Sequence, residues 1–189
     1  MIKELITRSR SYRRFVEKFH IERQTLRDLI DLARLSPSGS NLQPLKFIIS
    51  CEPQKNAQIF STLAWAGYLK DWNGPQQGQR PSAYIIILLD TEIRKSPGCD
   101  HGIAAQSIMI GAAEKGLGGC IIASIEKDQL HKELIIPSKY EILLALALGK
   151  PDEQVVLEQL NDDNDIKYYR DSDDKHHVPK RSLDEIILS

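Results

Sequence analysis

Apolar positions along the chain alternate between helical spacing and short continuous runs. Leu26, Leu29, Ile30 and Ala33 fall at i, i+3, i+4 and i+7, which predicts an amphipathic helix over Gln24 to Leu35 with one buried stripe. The run Lys46 to Ser50, centred on Phe47-Ile48-Ile49, predicts a short buried strand, and Pro53 to Leu63 a helix with proline in its first turn. Tyr84 to Leu89 is apolar without interruption, as expected of a strand covered on both faces, and Glu141 to Gly149 reads the same way. Asp100 to about Lys115 is apolar or small nearly all round, so it predicts a helix that must be covered on every side. Asp100 is its expected N-cap and Gly116 its C-cap, and its small residues suit close approach in a core or at a subunit interface. Ile2 to Thr7 and Asp128 to Leu134 predict short helices, and Gly118 to Ser124 a glycine-led apolar run. Strands alternating with helices imply a three-layer α/β or α+β arrangement.

Polar stretches interrupt this pattern at informative places. Pro37 disfavours helical geometry at Ser36, so the preceding helix stops there. The segment Ser36 to Pro44 then forms a stiff polar shelf, with Gly39 free to take positive φ and Ser38, Ser40, Asn41 and Gln43 supplying hydrogen-bonding groups. Trp65, Tyr68 and Trp72, at near-helical spacing before a Gly/Pro-rich loop, either wall an aromatic pocket or pack under that loop. Asn161 to Asp174 carries six aspartates and little to bury, which predicts an exposed arm or loop, and the tail from His176 to Leu188 regains apolar character with a basic pair, Lys180-Arg181.

Composition narrows the function classes. The 189 residues suit one domain, 1–189, with 151–189 as an extended arm and tail. A net charge of -1 argues against a general nucleic-acid partner. Cys51, Cys99 and Cys120 are odd in number and lack Cys-x-x-Cys spacing, which fits a reducing compartment and argues against a zinc or iron–sulfur centre. The paired His176-His177 has no ligand-spaced partners, so no metal is expected. No apolar run is long enough to cross a bilayer, and Met1 to Arg14 has no secretory core, so a cytoplasmic protein without a membrane partner is expected.

The candidate chemistry begins at Arg8-Ser-Arg-Ser-Tyr-Arg-Arg-Phe15. Guanidinium forks interleaved with serines suit phosphate oxygens, and one such cluster in a near-neutral chain suggests a single anionic ligand. The chain carries neither a Gly-x-Gly-x-x-Gly nor a P-loop sequence. Taken with this cluster, Ala33-Arg-Leu-Ser-Pro-Ser-Gly-Ser-Asn-Leu-Gln-Pro44, Asp100-x-Gly-x-Ala-x-Gln106, Gly116-Leu-Gly-Gly-Cys120 and Ala147-Leu-Gly-Lys-Pro151 make the chain resemble the flavin-dependent nitroreductase family over essentially its whole length.

That resemblance implies an α+β, three-layer sandwich with a mixed central sheet, in a homodimer whose C-terminal arms exchange and which binds FMN at the subunit interface. It implies Arg10, Ser11 and Arg13 at the FMN phosphate and ribityl chain, with Ser9 standing where the family often has arginine. It places Pro37, Ser38, Asn41 and Gln43 against the flavin from the partner subunit, and Ala123 and Ser124 at the ring. Lys180 and Arg181 match a basic pair that closes over the phosphate. The implied activity is transfer of hydride from NADH or NADPH through flavin N5 to nitroaromatic, quinone or similar electron-poor acceptors, with no side chain acting as nucleophile or base. A specialised substrate, met by reductive dehalogenation or flavin cleavage, is an alternative within the family. Outside catalysis, a flavin-binding protein or an anion-binding module built on Arg8 to Arg14 is another.

Overall fold

The structure is a computed structural model and describes residues 1–160 and 165–188. Its centre is a four-stranded sheet of β1 (Leu45–Ser50), β2 (Ala83–Asp90), β3 (Gly118–Ile122) and β4 (Tyr140–Gly149), in the order β1-β2-β4-β3. The helices are α1 (Ile2–Arg8), α2 (Arg23–Leu35), α3 (Pro53–Phe60), α4 (Asp100–Glu114), α5 (Lys127–Glu133) and α6 (Leu183–Ile186). Alternation along β2 divides the core. Ile85 and Ile87 pack with Leu26 and Leu29 of α2 and Ala104, Ala105 and Ile108 of α4. Tyr84, Ile86 and Leu88 face the other way, with Ile59 of α3, Leu130 of α5 and Ile122 of β3. Every residue of β2 is buried, so its unbroken apolar run reflects cover on both faces.

The sheet departs from expectation in direction. A mixed central sheet was expected, yet β1–β2, β2–β4 and β3–β4 all pair antiparallel. Hydrophobicity reports how a strand is covered and says nothing of which way it runs, and the connections here are long enough for either sense. Parallel pairing occurs at the Ser11–Gly119 bridge and in a second, small sheet.

That second sheet consists of β5 (Val155–Gln159), β6 (Tyr169–Arg170) and β7 (His176–Lys180), with β7 parallel to β5 and antiparallel to β6. The acidic stretch, of which residues 161–164 lie outside the described ones, is mostly exposed as expected, yet it contributes Tyr169–Arg170 to this sheet and partners to Arg14 and His177. Asp174 pairs with Arg14 at 2.5 Å, and Asp171 bonds His177 Nε2 at 3.1 Å while Glu158 bonds its Nδ1 at 2.9 Å. The His177 ring stacks on Tyr169. These aspartates find cations in space that are distant in sequence. Beyond the sheet, Leu183, Ile186, Ile187 and Leu188 are exposed.

One helix boundary is also adjusted. Asp100 is the first residue of α4 rather than its cap, and Cys99 precedes it. Trp65, Tyr68 and Trp72, despite their near-helical spacing, lie outside any helix.

Candidate functional site

The arginine-bearing segment after α1 is strapped along the edge of β3. Ser11 bridges Gly119, and the Tyr12 amide donates to the Gly119 carbonyl at 2.9 Å. Gly149 leaves room for Phe15, which is wholly buried; a Cβ at Gly149 would lie 2.7 Å from that ring. The decisive tether is Glu153. Its Oε1 accepts from the amides of Arg13 and Arg14, and its Oε2 accepts from Arg170 at 2.9 Å. One buried carboxylate therefore fixes the N-terminal segment against the C-terminal sheet.

This tethering closes a cavity of about 290 Å³. Arg10, Ser11 and Arg13 enter from the N-terminal segment, Lys180 and His176 from β7, and Gln106 from α4. Arg13 is nearly buried and firmly held. It donates to the Ser11 carbonyl at 3.1 Å and to His176 Nε2 at 3.0 Å, and its guanidinium lies 4.6 Å over the Tyr168 ring. A guanidinium only donates, so His176 accepts at Nε2 and carries its proton on Nδ1. Burial, with Arg13 and Arg170 nearby, pushes the His176 pKa down to about 4. His176 is thus a neutral, buried donor whose Nδ1 has no partner among the described residues, on the wall of an otherwise cationic cavity. That donor set, with two serine hydroxyls and three cations, fits a phosphate group.

A second cavity of about 220 Å³ lies beyond Arg13 and Tyr168, which line both. Ala123 and Ser124, just past β3, form one wall and Trp65 with Gly67 another. The Ser124 carbonyl accepts from Ala64 at 3.0 Å, whereas its amide donates to no group among the described residues. Tyr168 sits between Arg13 and Tyr68, whose ring is 4.9 Å away, and its hydroxyl accepts from the Tyr68 amide. The aromatic segment thus divides its duties: Trp65 walls a cavity, Tyr68 packs on Tyr168, and Trp72 packs under the Arg170 guanidinium at 4.6 Å.

The polar shelf is built differently from its expected form. Gly39 does not take positive φ; Ser40, Asn41 and Gln43 do, at 52°, 54° and 51°. Left-handed backbone at non-glycine residues costs roughly 1–3 kcal/mol each, so something must hold it. Asp100 does: its carboxylate accepts from Ser38 Oγ at 2.6 Å and from the Gly39 amide at 3.0 Å, and Ser38 Oγ accepts from the Gln43 amide. Burial raises the Asp100 pKa, but these two hydrogen bonds and Arg94 outweigh it and hold the carboxyl below its usual range. A Cβ at Gly39 would lie 3.0 Å from the end of the flexible Arg94 side chain, which can give way. Pro37, Ser38 and Gln43 line a separate cavity of about 180 Å³.

The sequence-predicted residues therefore fall into three groups. Arg10, Ser11, Arg13 and Lys180 converge, Ala123 and Ser124 neighbour them, and Pro37, Ser38 and Gln43 stand apart within one chain. Asn41 and Arg181 line none of these cavities; Arg181 pairs with Glu185 one turn along α6. Sequence reasoning missed Tyr168, His176 and Glu153. A tyrosine among aspartates and one histidine of an exposed-looking pair were the only available signals.

An antiparallel sheet covered by helices, with an anion cavity where the two ends of the chain meet, defines an α+β fold of nitroreductase type. The model of the nitroreductase family matches residues 6–150, and the chain belongs to that family of oxidoreductases. It is 22% identical to the 4-nitrobenzoate reductase of Pseudomonas putida, over 74% of this chain and 81% of that protein. It is 28% identical to the FMN reductase (NADPH) of Bacillus subtilis, over 78% of this chain and 65% of that one. Among solved structures it is similar to an FMN-dependent nitroreductase of Clostridium difficile R20291, with a TM-score of 0.68 at 23% identity over 98% and 96% of the two chains.

Proposed function

We propose that the protein is an FMN-dependent oxidoreductase that takes hydride from NADH or NADPH and passes it to nitroaromatic, quinone or similar electron-poor acceptors. The observation that carries this reading is the meeting of Arg10, Ser11 and Arg13 with Lys180, from opposite ends of the chain, in one cavity beside that of Ala123 and Ser124. The names of the similar proteins in Bacillus subtilis and Clostridium difficile support the choice of flavin.

Each group has a role in this proposal. Arg10 and Lys180 neutralise the phosphate, Ser11 completes its shell, and Arg13, already spent on His176 and Tyr168, stiffens the wall. Neutral His176 donates from Nδ1 without adding charge. The unpartnered Ser124 amide donates toward the ring and fixes its reactive edge. FMN held there would supply the two-electron hydride chemistry that links a reduced nicotinamide to the acceptor. Pro37, Ser38, Asn41 and Gln43 reach the same ring from a second copy, which accounts for their separation from Arg10 within one chain. In this homodimer the exposed Leu183, Ile186, Ile187 and Leu188 of the C-terminal arm cover the partner subunit. Arg181, paired with Glu185, is left out of the phosphate site.

The test is the absorbance spectrum of the purified protein, followed by anaerobic titration with each nicotinamide. The expected result is a yellow protein that bleaches with NADH or NADPH and recovers its colour with a nitroaromatic. A colourless protein that does not take up added FMN sinks the proposal.

A further inference from the structure

A further cavity of about 510 Å³, larger than the three above, shares no lining residue with any of them. It lies between the Glu17–His20 loop, the start of α3 and the approach to β2, within the size range of small-molecule sites, roughly 300–1,000 Å³. Its wall concentrates polar groups that the fold leaves unsatisfied. Tyr84 is wholly buried and its hydroxyl has no partner among the described residues; the same holds for Ser82 Oγ and Arg80 Nε. A buried hydroxyl without a partner costs on the order of 1–3 kcal/mol, so three such atoms around one cavity point to a ligand that completes them.

Charge decides the sign of that ligand. The Arg80 guanidinium is fixed 4.4 Å over the Phe60 ring and forms no ion pair among the described residues. Glu17, the acid on the lining, accepts from the amides of Gly78 and Arg80 through Oε2 and keeps its charge, but Arg80 and Lys18 together outweigh it and leave the lining net positive. Asn56 is likewise spent, donating to the Ser82 carbonyl at 2.7 Å and accepting from Ser50 at 2.7 Å. What remains is an unpaired planar cation, a tyrosine hydroxyl that burial keeps protonated, and an apolar wall of Pro53, Ala57 and Phe60.

We propose that this cavity binds a small single-ring organic carboxylate, with the carboxylate on Arg80 and the Tyr84 hydroxyl and the ring against the apolar wall. The site is separate from the anion cavity of Arg10 and Lys180 and does not depend on whether that cavity holds a flavin. A guanidinium seated 4.4 Å over Phe60 offers its fork of donors to a planar carboxylate, and Lys18 on the lining adds long-range attraction.

The experiment is a titration of the purified protein with 4-fluorobenzoate, followed by fluorine NMR, in wild type and in Tyr84→Phe. The expected result is saturable binding in the millimolar range or tighter, with a Kd raised roughly tenfold in Tyr84→Phe, the loss of one hydrogen bond to a charged group. The absorbance of any bound flavin stays unchanged, which separates this cavity from stacking on the ring. Should Tyr84→Phe fail to fold, Arg80→Gln reports the same loss. Equal affinity in wild type and variant, a ligand-dependent change in flavin absorbance, or no saturable binding overturns the proposal.

Discussion

Arg170 donates to Glu153 at 2.9 Å with 10% and 1% of the two side chains exposed, and the same carboxylate also accepts from the amides of Arg13 and Arg14. A charge this deep is tolerable because both carboxylate oxygens have donors, one of them a guanidinium. Glu153→Ala leaves Arg170 only a long contact with the exposed Asp174, at 3.9 Å, and two amides without an acceptor, so it should cost about 3–5 kcal/mol. Equilibrium urea unfolding reads this as a lower midpoint. A loss under about 1 kcal/mol would mean that the tether is not structural.

Arg10 and Lys180 are the cleaner probes of the phosphate assignment, because Arg13 is committed to Ser11, His176 and Tyr168. Arg10→Ala with Lys180→Ala should weaken FMN binding by at least about a hundredfold, at roughly 1.5–3 kcal/mol for each charged contact. Fluorescence titration of flavin into the apoprotein measures it. Full retention of flavin in the double variant would remove both residues from the site.

The neighbouring histidines should respond to pH in opposite senses. Asp171, then Glu158, raise the His177 pKa, so the folded state binds that proton more tightly than the unfolded chain. Its contribution is fully present below the ordinary imidazole value near 6.5 and is lost as pH rises through the folded value. His176, lowered to about 4, does the reverse: the unfolded chain takes up the proton first, so stability falls as pH drops from about 6.5 toward 4. His177→Gln should therefore flatten the alkaline limb of the stability profile, and His176→Gln the acid limb. Thermal melts from pH 4 to pH 9 check both, and one shape shared by both variants would contradict the assignment.

Asp100 holds the left-handed residues of the shelf through Ser38 and Gly39. Asp100→Ala should destabilise the protein by about 1 kcal/mol, since it removes the acceptor of two partly buried donors, and should lower flavin affinity further than that loss accounts for. Asp100→Asn keeps one acceptor and should fall between. Flavin affinity unchanged in Asp100→Ala would detach the shelf from the ring.

At Gly119 an added Cβ would lie 2.4 Å from the Ala147 carbonyl oxygen, which is backbone and cannot swing away. Gly119→Ala should therefore cost at least about 1–3 kcal/mol and displace the Ser11–Gly119 bridge. At Gly111 the neighbours are Leu32 and Leu29 side chains, which can repack, so Gly111→Ala should cost less despite a nominal approach of 2.3 Å. Chemical denaturation of the two variants side by side decides the ranking.

Much of this was legible in the residues. The stripe of Leu26, Leu29 and Ala33 is the buried face of α2, and the apolar run at Tyr84 is β2. The arginine cluster and Lys180 do share a cavity, since chemistry that needs several cations leaves them visible in composition. Strand direction was not legible, because antiparallel and parallel strands that are covered on both faces share one hydrophobic pattern. Nor was the backbone of the shelf, where positive φ falls on Ser40, Asn41 and Gln43 instead of on the glycine because Asp100, far along the chain, holds them. Tyr168 and Glu153 were hidden because their partners, Arg13 and Arg170, are set by tertiary contact alone.

Glu153 has one more consequence, for the order of events in the cell. Its three donors come from Arg13, Arg14 and Arg170, and the cavity they define also takes Tyr168, His176 and Lys180. During synthesis the first arginines emerge long before the groups that seat them. The pocket is therefore assembled only once the ribosome has passed residue 180, and loading it is a late step that a truncated nascent chain cannot complete.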